Sequence, residues 1–149
     1  MQSIPNASDI LQAVIDATPD AIFVKDLEGR YVLANQAAAR FVGRTPSEVI
    51  GKNDLELYPE ETARRFMQDD KAVRDGGKAM SFEGVASSSS GTQAYLVTKG
   101  VYRDKHGAIL GIYGISHDIT ELRAAQDSLE QTRQALFRSQ KMEAVGQLT

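Results

Sequence analysis

Residues 21–34, Ala21-Ile22-Phe23-Val24-Lys25-Asp26-Leu27-Glu28-Gly29-Arg30-Tyr31-Val32-Leu33-Ala34, decide the fold. Two runs rich in β-branched and aromatic side chains, 21–25 and 30–34, flank the polar tetrad Asp26-Leu27-Glu28-Gly29, with glycine where a turn needs positive φ. The stretch reads as a β-hairpin. Asn35 follows as a good N-cap for a short helix over 36–42, and Gly43 stands where a glycine ends such a helix.

Working outward, residues 8–18 place Ile10, Leu11, Val14 and Ile15 on one face of a short amphipathic helix. Ser8 is its expected N-cap and Pro19 closes it. Beyond the hairpin, Thr45-Pro46-Ser47-Glu48 is a capping box with proline at the first helical position, and that helix ends near Gly51. Pro59-Glu60-Glu61 opens a longer helix with acidic residues at its positive end. Ala63, Phe66, Met67 and Val73 form its apolar face, and Gly76-Gly77 ends it. Three strands are expected over about 78–86, 93–103 and 108–117, joined by Ser87-Ser88-Ser89-Ser90-Gly91 and Asp104-Lys105-His106-Gly107. Two hairpin-linked groups with short connections close into one antiparallel sheet with helices on one face, an α+β architecture. From Ile119 onward there is neither proline nor a strand pattern, so one helix of about 30 residues, roughly 45 Å, is expected. The chain therefore divides into an N-terminal helix (1–18), a central domain (19–118) and a C-terminal helix (119–149).

With 149 residues the chain suits one domain and an appendage. Its net charge of −3, with no basic stripe interleaved with aromatics, gives no reason to expect nucleic acid. The absence of cysteine excludes disulfides, thiolate catalysis and thiolate metal sites, and fits a cytoplasmic location. No apolar run approaches the ~20 residues of a membrane helix.

Signals for chemistry mostly fail. Ser116-His117-Asp118 holds the letters of a hydrolase triad, but consecutive strand residues point to opposite faces and do not converge. His106 falls in a tight turn, and two isolated histidines make a poor metal site. Glu60-Glu61 and Asp69-Asp70 are adjacent pairs on a helix, diverging by about 100° per residue, and read as solvated face. No glycine-rich phosphate loop is present. No catalysis by this chain is expected.

The order of elements resembles the PAS sensor fold over about residues 10–120. The resemblance is carried by Pro19-Asp20-Ala21-Ile22-Phe23-Val24, the turn Asp26-Leu27-Glu28-Gly29-Arg30, and Asn35. It continues through Gly43-Arg44-Thr45-Pro46-Ser47-Glu48-Val49-Ile50-Gly51 and Arg103-Asp104-Lys105-His106-Gly107 to Asp118-Ile119-Thr120. The run Lys141-Met142-Glu143-Ala144-Val145-Gly146-Gln147-Leu148-Thr149 is similar to the opening of the dimerisation helix of bacterial sensor histidine kinases. In that family the phosphorylated histidine follows within a turn or two. The resemblance implies a sensory input module of a two-component kinase, with a response regulator as the parent protein's partner. It also implies that Asp118, Ile119 and Thr120 couple the sheet to the output helix, with Arg30, Lys25 or the Gly29 backbone as partners of Asp118. Haem is disfavoured because the segment from Pro59 to Gly77 has no histidine, and a cysteine-adduct flavin because there is no cysteine. No cofactor is expected. A small apolar or amphipathic ligand could sit against Phe41, Leu55, Tyr58, Phe66, Met80, Phe82, Tyr95 and Val97, or these residues simply fill the core.

The C-terminal helix carries Leu122, Leu129 and Leu136 at heptad spacing, with Ile119 one turn earlier. The complementary positions Gln126, Arg133 and Gln140 are polar, so a coiled-coil seam would be thin. Phe137, Met142, Val145 and Leu148 then shift that seam. A parallel homodimer through both terminal helices is expected. The alternative is an amphipathic helix folded against its own domain.

Overall fold

The computed structural model describes residues 4–147. Leu148, part of the expected seam, lies outside them. Eleven elements are described in the order α1 (Ala7–Ala17), β1 (Ala21–Asp26), β2 (Tyr31–Ala34), α2 (Gln36–Phe41), α3 (Pro46–Val49), α4 (Asp54–Leu57), α5 (Glu60–Gly76), β3 (Met80–Ser88), β4 (Gly91–Arg103), β5 (Ile109–Asp118) and α6 (Thr120–Gln147). The strands form one antiparallel sheet in the order β2-β1-β5-β4-β3, so the expected α+β architecture is what the chain adopts. The first hairpin thus joins the rest of the sheet through β1 and β5, where Phe23 stands opposite Gly114.

Local chemistry explains most boundaries. Gly29 takes φ 81° and closes the β1–β2 turn, in which Asp26 Oδ1 accepts from the Glu28 and Arg30 amides. Thr45 and Glu48 form the capping box of α3. A second capping box, Asn53 with Glu56, starts α4. Gly77 ends α5 in the left-handed region at φ 65°. Two boundaries differ from the sequence reading. Asn6, not Ser8, caps α1, its side chain accepting from the Asp9 amide. The β3–β4 connection is tighter than expected, because Ser87 and Ser88 remain paired with Thr92 and Gly91. The turn itself is held by Ser88, whose hydroxyl donates to the Gly91 carbonyl.

The packing centres on Asn35, which is fully buried. Its Oδ1 accepts from the Ile22 and Ala38 amides, and its Nδ2 donates to the carbonyls of Ile15 and Asp20. One side chain thereby fastens α1, β1 and α2 together. Glycines let rings lie flat across the sheet. A Cβ on Gly114 would collide with the Phe23 ring, and one on Gly100 with the Tyr113 ring. The core proper falls into two clusters, one around Tyr31, Ala34, Ala39 and Val49 and the other around Ala86, Tyr95 and Val97, with Phe23 packed against both.

Asp118 ends the first compact unit of the chain and Ile119 begins the second, which contains α6. Along α6 the heptad leucines Leu122, Leu129 and Leu136 are 54 %, 70 % and 57 % exposed, and Phe137, Met142 and Val145 are exposed as well. No helix among the described residues is long and apolar enough to cross a membrane.

Candidate functional site

The inner face of the sheet and the helices that cover it enclose a chamber of about 70 Å³. Alternation along β4 turns Tyr95, Val97 and Lys99 toward it, while Leu96 between them is exposed. A chain of tilted and edge-on aromatic contacts crosses the helical side, Phe41 to Tyr58 to Phe66 to Tyr95, with centroid separations of 6.2, 5.0 and 6.2 Å.

One wall is ionic. Lys25 Nζ donates to Asp54 Oδ2 and Asp70 Oδ2, both at 2.6 Å. Lys99 Nζ donates to Asp70 Oδ1 at 2.7 Å, and the Tyr31 hydroxyl to Asp54 Oδ1 at 2.6 Å. All four charged residues are buried. Burial works against the Lys25 charge, but the two neighbouring carboxylates outweigh it and hold its pKa above the ordinary value. Burial likewise opposes the Asp70 charge, and the two ammonium groups overcome it, so its carboxyl is held below the usual range. For Lys99 burial wins over the single carboxylate it shares, and its pKa is lowered. Burial pushes the Tyr31 and Tyr58 phenols well up, so both stay protonated donors.

Beside the chamber lies an outer groove of about 280 Å³. The two share Ala21, Phe41, Tyr95 and Ser116 as walls, so the groove adjoins the chamber. Arg40, Ser89, Gln93 and Asp118 supply the groove's polar rim. The β3–β4 turn is pinned to this rim: the Ser89 amide donates to the Phe41 carbonyl and its hydroxyl to the Arg40 carbonyl.

Of the residues expected to line a ligand site, Phe41, Tyr58, Phe66, Tyr95 and Val97 do border the chamber. Phe82 packs behind Tyr95 and Val97 instead. Leu55 and Met80 are exposed, at 43 % and 41 %, on the outward faces of α4 and β3. Lys25 and Arg30 are not the partners of Asp118. Lys25 stands opposite Ile112, at the other end of β5, with its ammonium taken by Asp54 and Asp70. Arg30 donates to the Gly51 carbonyl and to Glu56. Asp118, Ile119 and Thr120 do form the passage from sheet to helix, with Asp118 paired to Tyr95 across the β4–β5 ladder and the Ile119 carbonyl accepting from the Arg123 amide. His117 is not part of a triad; its Nδ1 lies 2.6 Å from Asp20 Oδ1 and ties the end of β5 to the residues before β1. Asp70 is the clearest correction, being a buried bridge between two lysines rather than solvated face. Its position gives the reason: Ala63, Phe66, Asp70 and Val73 make one helical stripe toward the sheet.

The family model described as "PAS fold" matches residues 15–124. The chain belongs to the PAS family. Among curated relatives, the PAS domain is 28 % identical over 124 residues to the methanogenesis regulatory histidine kinase FilI of Methanothrix harundinacea, covering 83 % of this chain and 14 % of that protein. It is 26 % identical over 124 residues to the aerobic respiration control sensor ArcB of Escherichia coli, covering 83 % and 16 %. This PAS chain thus spans less than a fifth of either relative. Among solved structures it superimposes on VqmA of Vibrio cholerae, in a complex described as containing ligand and DNA, with a TM-score of 0.70 and 27 % identity over 78 % of this chain and 53 % of that one.

Proposed function

We propose that this PAS domain is the sensory input module of a two-component histidine kinase, taking a cytoplasmic cue and passing it through α6 to a kinase core. One observation carries the reading. Asp118 borders the groove that adjoins the chamber and is also the last sheet residue before α6. Whatever enters the groove therefore acts at the junction. The kinship with FilI and ArcB supports a kinase as the output, acting on a response regulator. A parallel homodimer along Leu122, Leu129 and Leu136 completes the device, since a thin seam with a register shift can hold two packings of similar free energy. The chain itself performs no catalysis.

A second reading, a ligand-free PAS domain that dimerises and sets helix register, is favoured by the modest volume of the chamber. About 70 Å³ is well below the roughly 300–1,000 Å³ of common small-molecule sites. Native mass spectrometry of the purified chain separates the two, because a co-purifying small molecule supports sensing and none supports the dimerisation module.

The sensor reading is tested by fusing residues 1–149 in frame to a kinase core, as wild type, Asp118→Ala and Asp118→Asn. Asp118 is exposed at the end of β5, so Asp118→Ala costs little of the ~5–15 kcal/mol stability of a typical domain and folds. It is expected to lose coupling between cue and kinase, with Asp118→Asn intermediate. An Asp118→Ala fusion that folds and responds as wild type does would remove Asp118 from the coupling path.

A further inference from the structure

Within the sensor reading, on which this inference rests, we infer that the chamber selects a small, planar, uncharged molecule that presents a hydrogen-bond acceptor to Lys99. The starting point is a donor count. An ammonium carries three N–H groups. Lys25 spends two of them on Asp54 and Asp70. Lys99, buried to 3 % exposure and bordering the chamber, spends one on Asp70. Its nitrogen otherwise looks onto aromatic faces, 5.3 Å from the Phe66 centroid and 5.9 Å from that of Phe82. Such faces compensate a buried ammonium only in part. Burial already weighs against the charge of Lys99, so an added acceptor in the chamber gains a charge-assisted bond where it counts most.

Charge balance then selects among acceptors. Lys25 and Lys99 are matched by Asp54 and Asp70, and the wall is electrically neutral as it stands. A carboxylate ligand would add one uncompensated negative charge to a desolvated space, and an amine one positive charge. A neutral carbonyl or ring nitrogen satisfies the donor and leaves the balance intact. The aromatic walls Tyr58, Phe66 and Tyr95 favour a flat body. Size sets the rest. A dry cavity of about 150 Å³ accepts benzene, so the chamber alone is too small for a ring. Joined to the groove through Phe41 and Tyr95 it reaches the lower end of the range for small-molecule sites. The acceptor end sits at Lys99, and the body extends toward Ser116.

Four compounds on one ring distinguish the possibilities: benzamide (neutral acceptor), benzoate (anion), benzylammonium (cation) and toluene (no acceptor). Binding to residues 1–149 is followed by NMR shifts of the Tyr58, Phe66 and Tyr95 rings. Benzamide is expected to bind best on the wild type, a ranking that needs no variant. Lys99→Met, which keeps the length of the side chain and leaves Asp70 paired with Lys25, is expected to weaken benzamide about tenfold or more while leaving toluene unchanged or tighter. Benzoate or toluene binding as tightly as benzamide, or benzamide unaffected in a folded Lys99→Met protein, overturns the ligand class but not the sensor reading. Four non-binders also overturn the class; the kinase fusion judges the sensor reading separately.

Discussion

Asp70 shows how much can hang on one side chain in this fold. It bridges Lys25 and Lys99 from the middle of α5, and cutting one member out of a buried ion pair leaves the others uncompensated. Asp70→Asn is therefore expected to destabilise the domain by about 3–5 kcal/mol in urea titration. Arg64→Ala, which breaks the exposed pair with Glu60, should change stability by no more than about 1 kcal/mol. The pH dependence has a definite sign. Because the folded carboxyl of Asp70 is held below its ordinary value, it contributes stability that is full above about pH 4. That contribution is lost as pH falls through the folded pKa. Urea midpoints of wild type should drop across that acid window more steeply than those of Asp70→Asn. An adjacent acidic pair on a helix reads as solvated face, yet Phe66, Asp70 and Val73 fall on one stripe, as Tyr95, Val97 and Lys99 fall on one face of β4. The partners were not legible, because Lys25, Asp54, Asp70 and Lys99 come from four elements that only the sheet order brings together.

At the scale of elements, the hairpin, the capped helices and the long C-terminal helix follow from periodicity and caps, and their order gave the α+β sheet. Turn chemistry is less legible. The serine run reads as a loop, although cross-strand pairing persists through Ser88. Which apolar residue faces inward was the other gap. Leu55 and Met80 are as hydrophobic as their neighbours, and only the position of α4, for which the sequence reading has no helix, and the register of β3 turn them outward. Close packing between elements yields a test at Gly114, whose missing Cβ makes room for the Phe23 ring. Gly114→Ala should cost about 1–3 kcal/mol by thermal or urea unfolding. Gly146→Ala, where a Cβ meets nothing, should not lower stability and can raise helix content slightly.

For the molecule as a whole, the prediction concerns assembly. Large apolar side chains lie exposed at Ile10, Leu11 and Val14 on α1 and along the leucine line of α6. Sedimentation of the chain at tens of micromolar should show a dimer, and truncation after Thr120 should remove most of the association while the PAS domain remains folded by circular dichroism. A monomeric full chain would count against the parallel dimer. Incubation with radiolabelled ATP should leave the protein unlabelled; incorporation at His106 or His117 would contradict its role as a regulatory module.

Asn35 makes α1 a lever with its fulcrum at one end. The last turn of α1 is clamped, the Ile15 carbonyl by Asn35 and the Asp16 carboxylate by the Gln36 amide, whereas the side chains of its first two turns are exposed. Amides near the start of the helix should then exchange with solvent far sooner than the backbone around Ile22 and Ala38 that the same asparagine holds. Exchanging a single NH₂ for oxygen, as Asn35→Asp does, would set like against like at the Ile15 and Asp20 carbonyls. The lever would come off its pivot while β1 and α2 kept the other half of the clasp.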